Sequence, residues 1–407
     1  MSVLKKMHYA NVVLKSMIKI ISEKHEKKYL YSVFLSEVAR TLPHAVLTLI
    51  LFDKGVRVEQ IALVQIFYML AMVAFEFPSG LMSDILDRKL VYLLSIVFSM
   101  IAYVLIFFSN ALPMLYLSWF IYGTASAFNN GTLDVSFTKL FQTNTEKLKQ
   151  FLSRQKMVLS VSAVLGGYLG SILFNNIGTY LFFVSVAIYV VSATVVIIFI
   201  PSDRNNERLG KPFREYLANF MLNLKNLISS RILIELIILM GAIQFFYQPF
   251  YQYWQAMFLE NSINPSVFGF IYIIFRLAFA LAAWIFRKVK HSNKNSYIIL
   301  AMISALAVAT FLVDFPSFLL VSTPLMLVLV YIYNLNLDCC LREQTDASVL
   351  GTVESINSTF TRILSVIVLG ISSVSVTLFS VTTMFVILVV GFTSISIFIL
   401  YIRGRKK

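Results

Sequence analysis

Long apolar runs separated by short polar breaks form the dominant pattern of this chain. Twelve of these runs are about 20 residues long, enough for an α-helix to cross the roughly 30 Å hydrocarbon core of a bilayer. A membrane β-barrel would alternate polar and apolar positions over segments of about ten residues, and these runs are too long and too uniformly apolar for that. The pattern predicts an all-α membrane protein with spans at 30–52, 59–80, 90–108, 112–136, 154–174, 178–200, 232–258, 265–286, 297–314, 317–337, 353–376 and 380–402.

The longest polar segment divides the spans into two sets of six. It covers residues 201–231 and separates a predicted N-terminal bundle, 29–200, from a C-terminal bundle, 232–402. A basic segment, 1–28, precedes the first bundle, and a basic tail, 403–407, follows the second. The halves also align weakly at an offset of 206 residues, which brings Pro43 onto Pro249. Duplicated bundles of this kind are common in transporters, with the substrate site between the repeats.

The charge distribution supports this topology. Only 13% of the residues are charged and 58% are hydrophobic, whereas soluble proteins contain about 25% charged residues. With the N-terminus inside, the inner segments hold 29 of the 34 Lys and Arg residues, and the outer loops hold Lys54 and Arg57. This asymmetry predicts a multi-pass protein of the cell membrane with both termini in the cytoplasm. The net charge of +14 then indicates contact with anionic lipid at the cytoplasmic face rather than with nucleic acid.

A charged turn between the second and third spans carries the most specific motif, "GLMSDILDRK". Gly80, Asp84, Arg88 and Lys89 stand in the register of the signature loop of the major facilitator superfamily, which this turn resembles; Ile85 and Asp87 depart from it. The resemblance implies the fold of that superfamily, with two six-helix bundles related by a pseudo-twofold repeat.

The resemblance also implies a gating role for the turn. Asp84 would face the positive end of the eleventh helix, and Arg88 and Lys89 would form a latch across the halves that closes the cytoplasmic side. The alternative is that these charges only solvate a tight turn.

Two further elements resemble bacterial efflux-type members of the superfamily. "EFPSG" precedes the turn, and "SAVLGGYLGS" in the fifth span places small residues where antiporters carry a glycine motif: Ser162, Gly166, Gly167 and Gly170. The same residues also suit ordinary close packing of helices. Trp119 stands where proton-coupled relatives often carry an arginine, which departs from the usual proton relay.

Ionisable residues inside spans are costly, by about 2.5–3.5 kcal/mol on insertion scales, and therefore indicate function. Glu37, Arg40 and His44 follow one another at helical spacing in the first span, which predicts a row for proton coupling or, alternatively, a static structural pair. Arg276 lies isolated near the middle of the eighth span. We expect it to meet an anionic partner, either another protein residue or the substrate.

Polar side chains concentrate in the spans that line the cavity of the superfamily. The seventh span places a row of amides beside an aromatic stripe, the fourth carries two asparagines and the tenth another. Amide and aromatic groups suit an amphiphilic organic molecule or a sugar, whereas the alternative is packing between helices. The predicted substrate contacts are Gln244, Gln248, Tyr251, Gln252, Trp254, Asn129, Asn130, Asn334 and Arg276.

These observations predict a secondary active transporter rather than an enzyme, with a small-molecule substrate, protons as the coupling ion and no cofactor or metal. No phosphate-binding Gly-Lys loop is present. The expected function is proton-coupled efflux of a small amphipathic compound. Proton-linked uptake of a sugar or another polar nutrient is the alternative, and a non-transporting membrane sensor is the alternative of another class.

Overall fold

The structure is a computed structural model that describes residues 25–130, 132–141, 145–202, 230–286, 288, 293–313, 315–345 and 350–404. Most of the basic segment 1–28, the loop 201–231 and the tail 403–407 lies outside these residues. Within the described residues the regular secondary structure is entirely helical, which confirms the all-α class.

The helices follow the apolar runs closely. They are α1 (residues 25–41), α2 (Leu47–Asp53), α3 (Val58–Ile85), α4 (Arg88–Phe108), α5 (Leu112–Asn129), α6 (Leu133–Phe141), α7 (Thr145–Ile177), α8 (Leu181–Phe199), α9 (Arg231–Ala242), α10 (Gln244–Glu260), α11 (Phe268–Phe286), α12 (Asn293–Leu312), α13 (Pro316–Glu343), α14 (Leu350–Leu378) and α15 (Val381–Gly404).

Two predicted spans are interrupted, and each interruption lies near a proline. Pro43 follows the end of α1, and a 3₁₀ turn, His44–Val46, leads into α2. In the seventh span Ile243 separates α9 from α10, just ahead of Pro249. Proline cannot donate the i→i−4 hydrogen bond and its ring crowds the preceding turn, which disfavours a continuous helix near each of these positions. Such breaks leave backbone groups that need other partners.

Ten helical segments in the described residues are long and apolar enough to cross a membrane. One of them, Glu146–Phe199, has 54 residues and includes both α7 and α8, while α5 is not among the ten. The membrane class is therefore confirmed, and the count of twelve spans stays a prediction.

The two halves pack mainly within themselves and meet along two seams. One seam joins α3 to α14, and the other joins α7 to α11. In the second seam an added Cβ at Gly167 would clash with the Tyr272 ring. Within the first half, an added Cβ at Gly170 would meet the Leu42 carbonyl. Glycine is required at both positions because the helices touch there.

The bundle has two distinguishable ends. We call the end with residue 25, Ile85 and Arg88 the basic end, and the end with Asp53, Val58 and Ser109 the opposite end. Lys89 Nζ lies 2.6 Å from the Ile200 carbonyl oxygen at the basic end. At the opposite end, Lys54 Nζ lies 3.1 Å from the Ser109 carbonyl oxygen. These contacts tie neighbouring helix ends together on each side.

Candidate functional site

A cavity of about 520 Å³ opens inside the bundle. Its lining comes from the basic-end portions of α1, α3, α4, α5, α7 and α8 and from Asp134 of α6, with Arg276 contributed by the second half. The cavity is therefore lined on the basic-end side of the molecule. Most of the lining groups are hydroxyls and amides: Tyr29, Ser36, Tyr68, Tyr92, Ser95, Ser99, Tyr122, Ser126, Asn129, Asn130, Thr132, Gln155, Ser160 and Tyr189.

Several of the lining hydroxyls are held in place by one another. Ser36 Oγ lies 2.7 Å from Ser192 Oγ and 3.1 Å from the Tyr92 hydroxyl. Ser192 in turn lies 2.8 Å from Ser32 Oγ, which joins α1 to α8. Polar groups that bond within a network keep their direction, so this wall of the cavity is preorganised.

Glu37 and Arg40 form an ion pair in the cavity wall. Arg40 donates through Nη2 at 2.5 Å and through Nε at 2.8 Å to the two carboxylate oxygens of Glu37. The Arg40 side chain is 36% exposed and the Glu37 side chain 12% exposed. The spacing of three residues within α1 thus places the two groups together, and a bidentate guanidinium–carboxylate pair is strong and directional.

His44 does not continue the row of Glu37 and Arg40. The α-helix ends at residue 41, so His44 lies in the 3₁₀ turn rather than one turn further along the same face. Its Nε2 is 3.2 Å from the Tyr122 hydroxyl of α5. The predicted three-residue row is therefore corrected to a pair plus a separate histidine, because Pro43 ends the helix between them.

Arg276 reaches the cavity from α11. Its Nε donates to the Tyr272 hydroxyl at 3.1 Å, Nη2 donates to the same oxygen, and the guanidinium carbon lies 4.9 Å from the centre of the Tyr272 ring. Among the described residues no carboxylate lies within 4.0 Å of Arg276. The sequence predicted that Arg276 meets either an acidic residue of the protein or the substrate. Within the described residues no such acidic residue is found.

The amides of the seventh span face neighbouring helices. Gln248 Nε2 lies 3.0 Å from both Gln244 Oε1 and Ser365 Oγ of α14. Gln255 Oε1 accepts from the Thr48 backbone N–H at 2.9 Å. Gln244, Gln248 and Gln252 are not among the residues found to line the cavity. In this conformation Gln244, Gln248 and Gln255 of the amide row contact neighbouring helices.

The other predicted substrate contacts fall into two groups. Asn129 and Asn130 line the cavity, as does Arg276. Tyr251, Trp254 and Asn334 are not found in its lining. Tyr251 is half exposed and stacks on Tyr247, whereas Trp254 is buried against aromatic rings, namely Phe258, Phe268 and Phe275.

The charged turn adopts a well-defined structure. Asp87 begins α4 by accepting from the Lys89 backbone N–H at 2.9 Å, and its other oxygen accepts from the Ser202 hydroxyl. Lys89 Nζ donates to the carbonyls that end α8, so in this conformation it binds within the first half rather than across the halves. Arg88 is buried. Gly80 and Asp84 lie in α3, but the surroundings of these two residues are outside the described part of the structure.

The fifth-span glycine motif is a packing surface. Thr41 Oγ1 lies 3.4 Å from the Ser162 carbonyl oxygen, and an added Cβ at Gly166 would clash with the Thr41 side chain. Gly170 meets Leu42, and Gly167 meets Tyr272 of the second half. The small residues of the motif thus allow both the end of α1 and Tyr272 of the second half to pack closely against α7.

One ion pair between the halves was not predicted. Arg362 Nη2 of α14 lies 3.0 Å from Glu76 Oε1 of α3. The sequence places both charged residues within predicted spans. A single sequence contains no signal that two residues 286 positions apart form a pair. Glu76 belongs to the "EFPSG" segment, so this segment contributes directly to the contact between halves.

Contacts between the halves close the opposite end. Gln255 of α10 also contacts the Leu49 N–H and the His44 carbonyl, each at 3.4 Å, beyond the break in the first span. Ser373 Oγ of α14 donates to the Glu59 carbonyl of α3 at 2.6 Å. The two halves are therefore in contact at the opposite end, whereas the cavity is lined by residues nearer the basic end.

Comparison with known proteins identifies the architecture. The profile of the Major Facilitator Superfamily matches residues 30–341. The nucleoside transporter NupG is similar in structure, with a TM-score of 0.71 and 13% identity over 93% of this chain and 97% of that one. A bacterial homologue of the human lysosomal transporter Spinster gives a TM-score of 0.71 at 13% identity, covering 93% and 96% of the two chains.

The transporter PepTSo of the POT family is also similar, with a TM-score of 0.69 at 12% identity over 94% of this chain and 98% of that one. No curated protein matches the sequence. At these identities the likeness to solved structures concerns the fold alone.

Proposed function

The chain belongs to the Major Facilitator Superfamily and is a secondary transporter of that kind, and from this premise we propose that it carries a small polar organic solute by proton-coupled alternating access. The observation that carries the proposal is the cavity of about 520 Å³, lined mostly by hydroxyls and amides, with the two halves in contact at the opposite end. Ligand sites of roughly 300–1,000 Å³ accommodate small organic molecules.

The lining favours a polar solute over an apolar drug. A site rich in hydroxyls and amides binds a solute that satisfies these groups, and it rejects one that leaves them unpaired, since each buried unpaired polar group costs about 1–3 kcal/mol. The similar transporter NupG is named for nucleosides, which are polar solutes of suitable size. This supports the uptake alternative more than the export of an amphipathic compound.

We infer the membrane orientation from the distribution of charge. The lysine- and arginine-rich segments of the sequence adjoin the basic end. This end would therefore face the cytoplasm and its anionic lipid. In that orientation the structure would represent a state whose cavity is lined toward the cytoplasm and whose halves are in contact toward the outside. Transport requires the opposite arrangement as well, in which the contacts of Gln255 are broken and the basic end is closed.

Closure of the basic end is assigned to the charged turn. Gly80 would allow close approach of the helices, and Asp84 would meet the N-terminal end of α14. Lys89 is held by α8 in the present state, so it would have to leave these carbonyls to reach across the halves. Asp87, a departure from the usual glycine, anchors the turn to α4 through its cap.

Proton coupling is assigned to the ion pair of Glu37 and Arg40. Protonation of Glu37 would remove the charge that neutralises Arg40 and leave a positive group in the wall of the cavity. The state with bound proton would therefore hold solute differently from the state without it, which is what coupling requires. His44, in contact with Tyr122, would relay protons between α1 and α5.

Efflux of an amphipathic compound is the second candidate. The observation that favours it is the glycine surface of α7, with Gly166, Gly167 and Gly170 all in close contact, together with the "EFPSG" segment. Both features resemble export-type members. They bear on how the halves move rather than on which solute the cavity accepts.

Reconstitution tests both candidates. Purified protein in liposomes with an imposed pH gradient would be screened with radiolabelled nucleosides, sugars and lipophilic cations. We expect polar solutes to accumulate when protons flow with them, and Glu37→Gln to transport without pH dependence. Movement of lipophilic cations alone, against the proton flow, would favour efflux instead. No flux of any solute under any gradient would refute the transport proposal.

A further inference from the structure

The most informative unassigned group is the guanidinium of Arg276. It lies near the middle of α11, at a depth where a charge is retained only when it faces water, a partner or a ligand. It lines the cavity although every other residue found in the lining belongs to the first half. Its placement therefore brings one charge of the second half to the site between the halves.

The position of Arg276 is preorganised. The Tyr272 hydroxyl accepts two of its N–H groups, and the Tyr272 ring lies below its guanidinium. Tyr272 is itself only 8% exposed and packs on Gly167 of α7. A side chain fixed in this way loses little entropy when it binds a ligand.

The positive charge of Arg276 lacks a neutralising partner in the described residues. The other two arginines that fall inside predicted spans are paired with carboxylates: Arg40 with Glu37, and Arg362 with Glu76. The Tyr272 group that Arg276 contacts is a hydroxyl rather than a carboxylate. Arg40 and Arg276 both line the cavity, one from each half of the chain.

We propose that Arg276 binds the anionic group of the transported solute, which is therefore a small organic anion, a carboxylate or a phosphate that also carries hydroxyl or amide groups. A guanidinium matches both anions through paired N–H donors. The hydroxyls and Asn129 and Asn130 would bind the rest of the molecule. This inference rests on the proposed function, since it names the class of solute for the same cavity.

Proton binding would strengthen this site. When Glu37 is protonated, Arg40 becomes a second positive group without a counter-charge, and an anion gains attraction from both. Proton and anion would then bind cooperatively, as expected of a symporter. A neutral solute would gain little from the same change.

The test uses a metabolite extract, since the solute is not identified. A cell extract would be separated on an anion exchanger into unretained, weakly retained carboxylate and strongly retained phosphate fractions, then freed of volatile salt. Thermal unfolding of the purified full chain would be measured with each fraction. Variants would be Arg276→Gln, which removes the charge, Arg276→Lys, which keeps it, and Lys288→Gln, which removes a charge over Trp284 outside the cavity.

We expect one of the two acidic fractions to raise the melting temperature of the wild-type protein and of Lys288→Gln. Arg276→Gln should need at least about tenfold more of that fraction, and Arg276→Lys should lie between. Equal unliganded melting temperatures show that the variants are folded. The acidic fraction that raises the melting temperature shows whether the anionic group is a carboxylate or a phosphate.

Two patterns of stabilisation, and also the absence of any stabilisation, would overturn the inference. One is stabilisation by the unretained fraction while the acidic fractions have no effect; this would remove the anion and leave the transport of a neutral polar solute intact. The other is an acidic fraction that acts equally on the wild-type protein and Arg276→Gln. If no fraction stabilises the protein, the anion assignment fails, and the reconstitution assay decides separately whether the chain transports at all.

Discussion

Removal of the Gln255 side chain should shift the protein toward a state open at the opposite end. The amide connects the two halves through Thr48, Leu49 and His44, at 2.9, 3.4 and 3.4 Å. These backbone groups follow the break at Pro43 and have lost their helical partners. Gln255 is almost fully buried, so water does not replace it while the seal is closed.

The size of the shift can be worked out from these bonds. A hydrogen bond contributes a net 0.5–1.5 kcal/mol, and a buried N–H left without a partner costs about 1–3 kcal/mol. One of the three contacts has ideal length and two are long, so Gln255→Ala should lose about 1–3 kcal/mol. That corresponds to roughly a 5- to 150-fold change in the ratio of closed to open states.

Distance measurement between spin labels checks this prediction. Labels at Arg57 and Ser266, both exposed at the opposite end, would report the separation of the halves after Cys339 and Cys340 are replaced by alanine. Gln255→Ala should enlarge the population at long distance. Asn261→Ala is the matched control, since Asn261 Nδ2 bonds to Thr382 within the second half, at 2.9 Å. Unchanged distances in Gln255→Ala, or an equal change in the control, would refute the assignment of Gln255 as a seal.

Three other predictions concern the seams and the turn. Removal of one charge from the pair of Glu76 and Arg362, which is 3.0 Å apart, should slow transport more than the exchange of both charges in a double variant; equal slowing would exclude a specific pair. Gly167→Ala should lower the transport rate and the melting temperature because its Cβ would clash with the Tyr272 ring. Unchanged values of both would show that the contact between α7 and α11 accommodates a methyl group. Asp87→Ala removes the N-cap of α4 and should cost about 1 kcal/mol, measured by thermal unfolding, whereas no loss would show that the cap is dispensable.

The apolar pattern predicted much of the fold because each span is a local property of the chain. Length and hydrophobicity suffice to place a helix in a bilayer, and the prolines at 43 and 249 mark interruptions that the structure shows nearby. The pairing of Glu37 with Arg40 was accessible for the same reason, since three residues along one helix bring side chains together.

The contacts between helices were not accessible in this way. The amide row of α10 has a clear period, but periodicity shows only that the amides share a face and does not identify what the face meets. Gln248 meets Ser365, and Gln255 meets Thr48, 207 residues away. The pair of Glu76 and Arg362 likewise depends on how the halves dock. The cavity wall was partly missed because serines and tyrosines within apolar spans carry no distinctive spacing.

Blocking the cavity from the basic end tests the central claim most directly. Ser126 lines the cavity from α5 and is partly exposed, so Ser126→Cys in a cysteine-free protein would accept a membrane-impermeant thiol reagent. Solute flux into proteoliposomes would be measured after the reagent is applied at the basic end. The account predicts that modification stops flux and that transported solute slows modification. Complete modification with undiminished flux would show that this cavity is not the transport path.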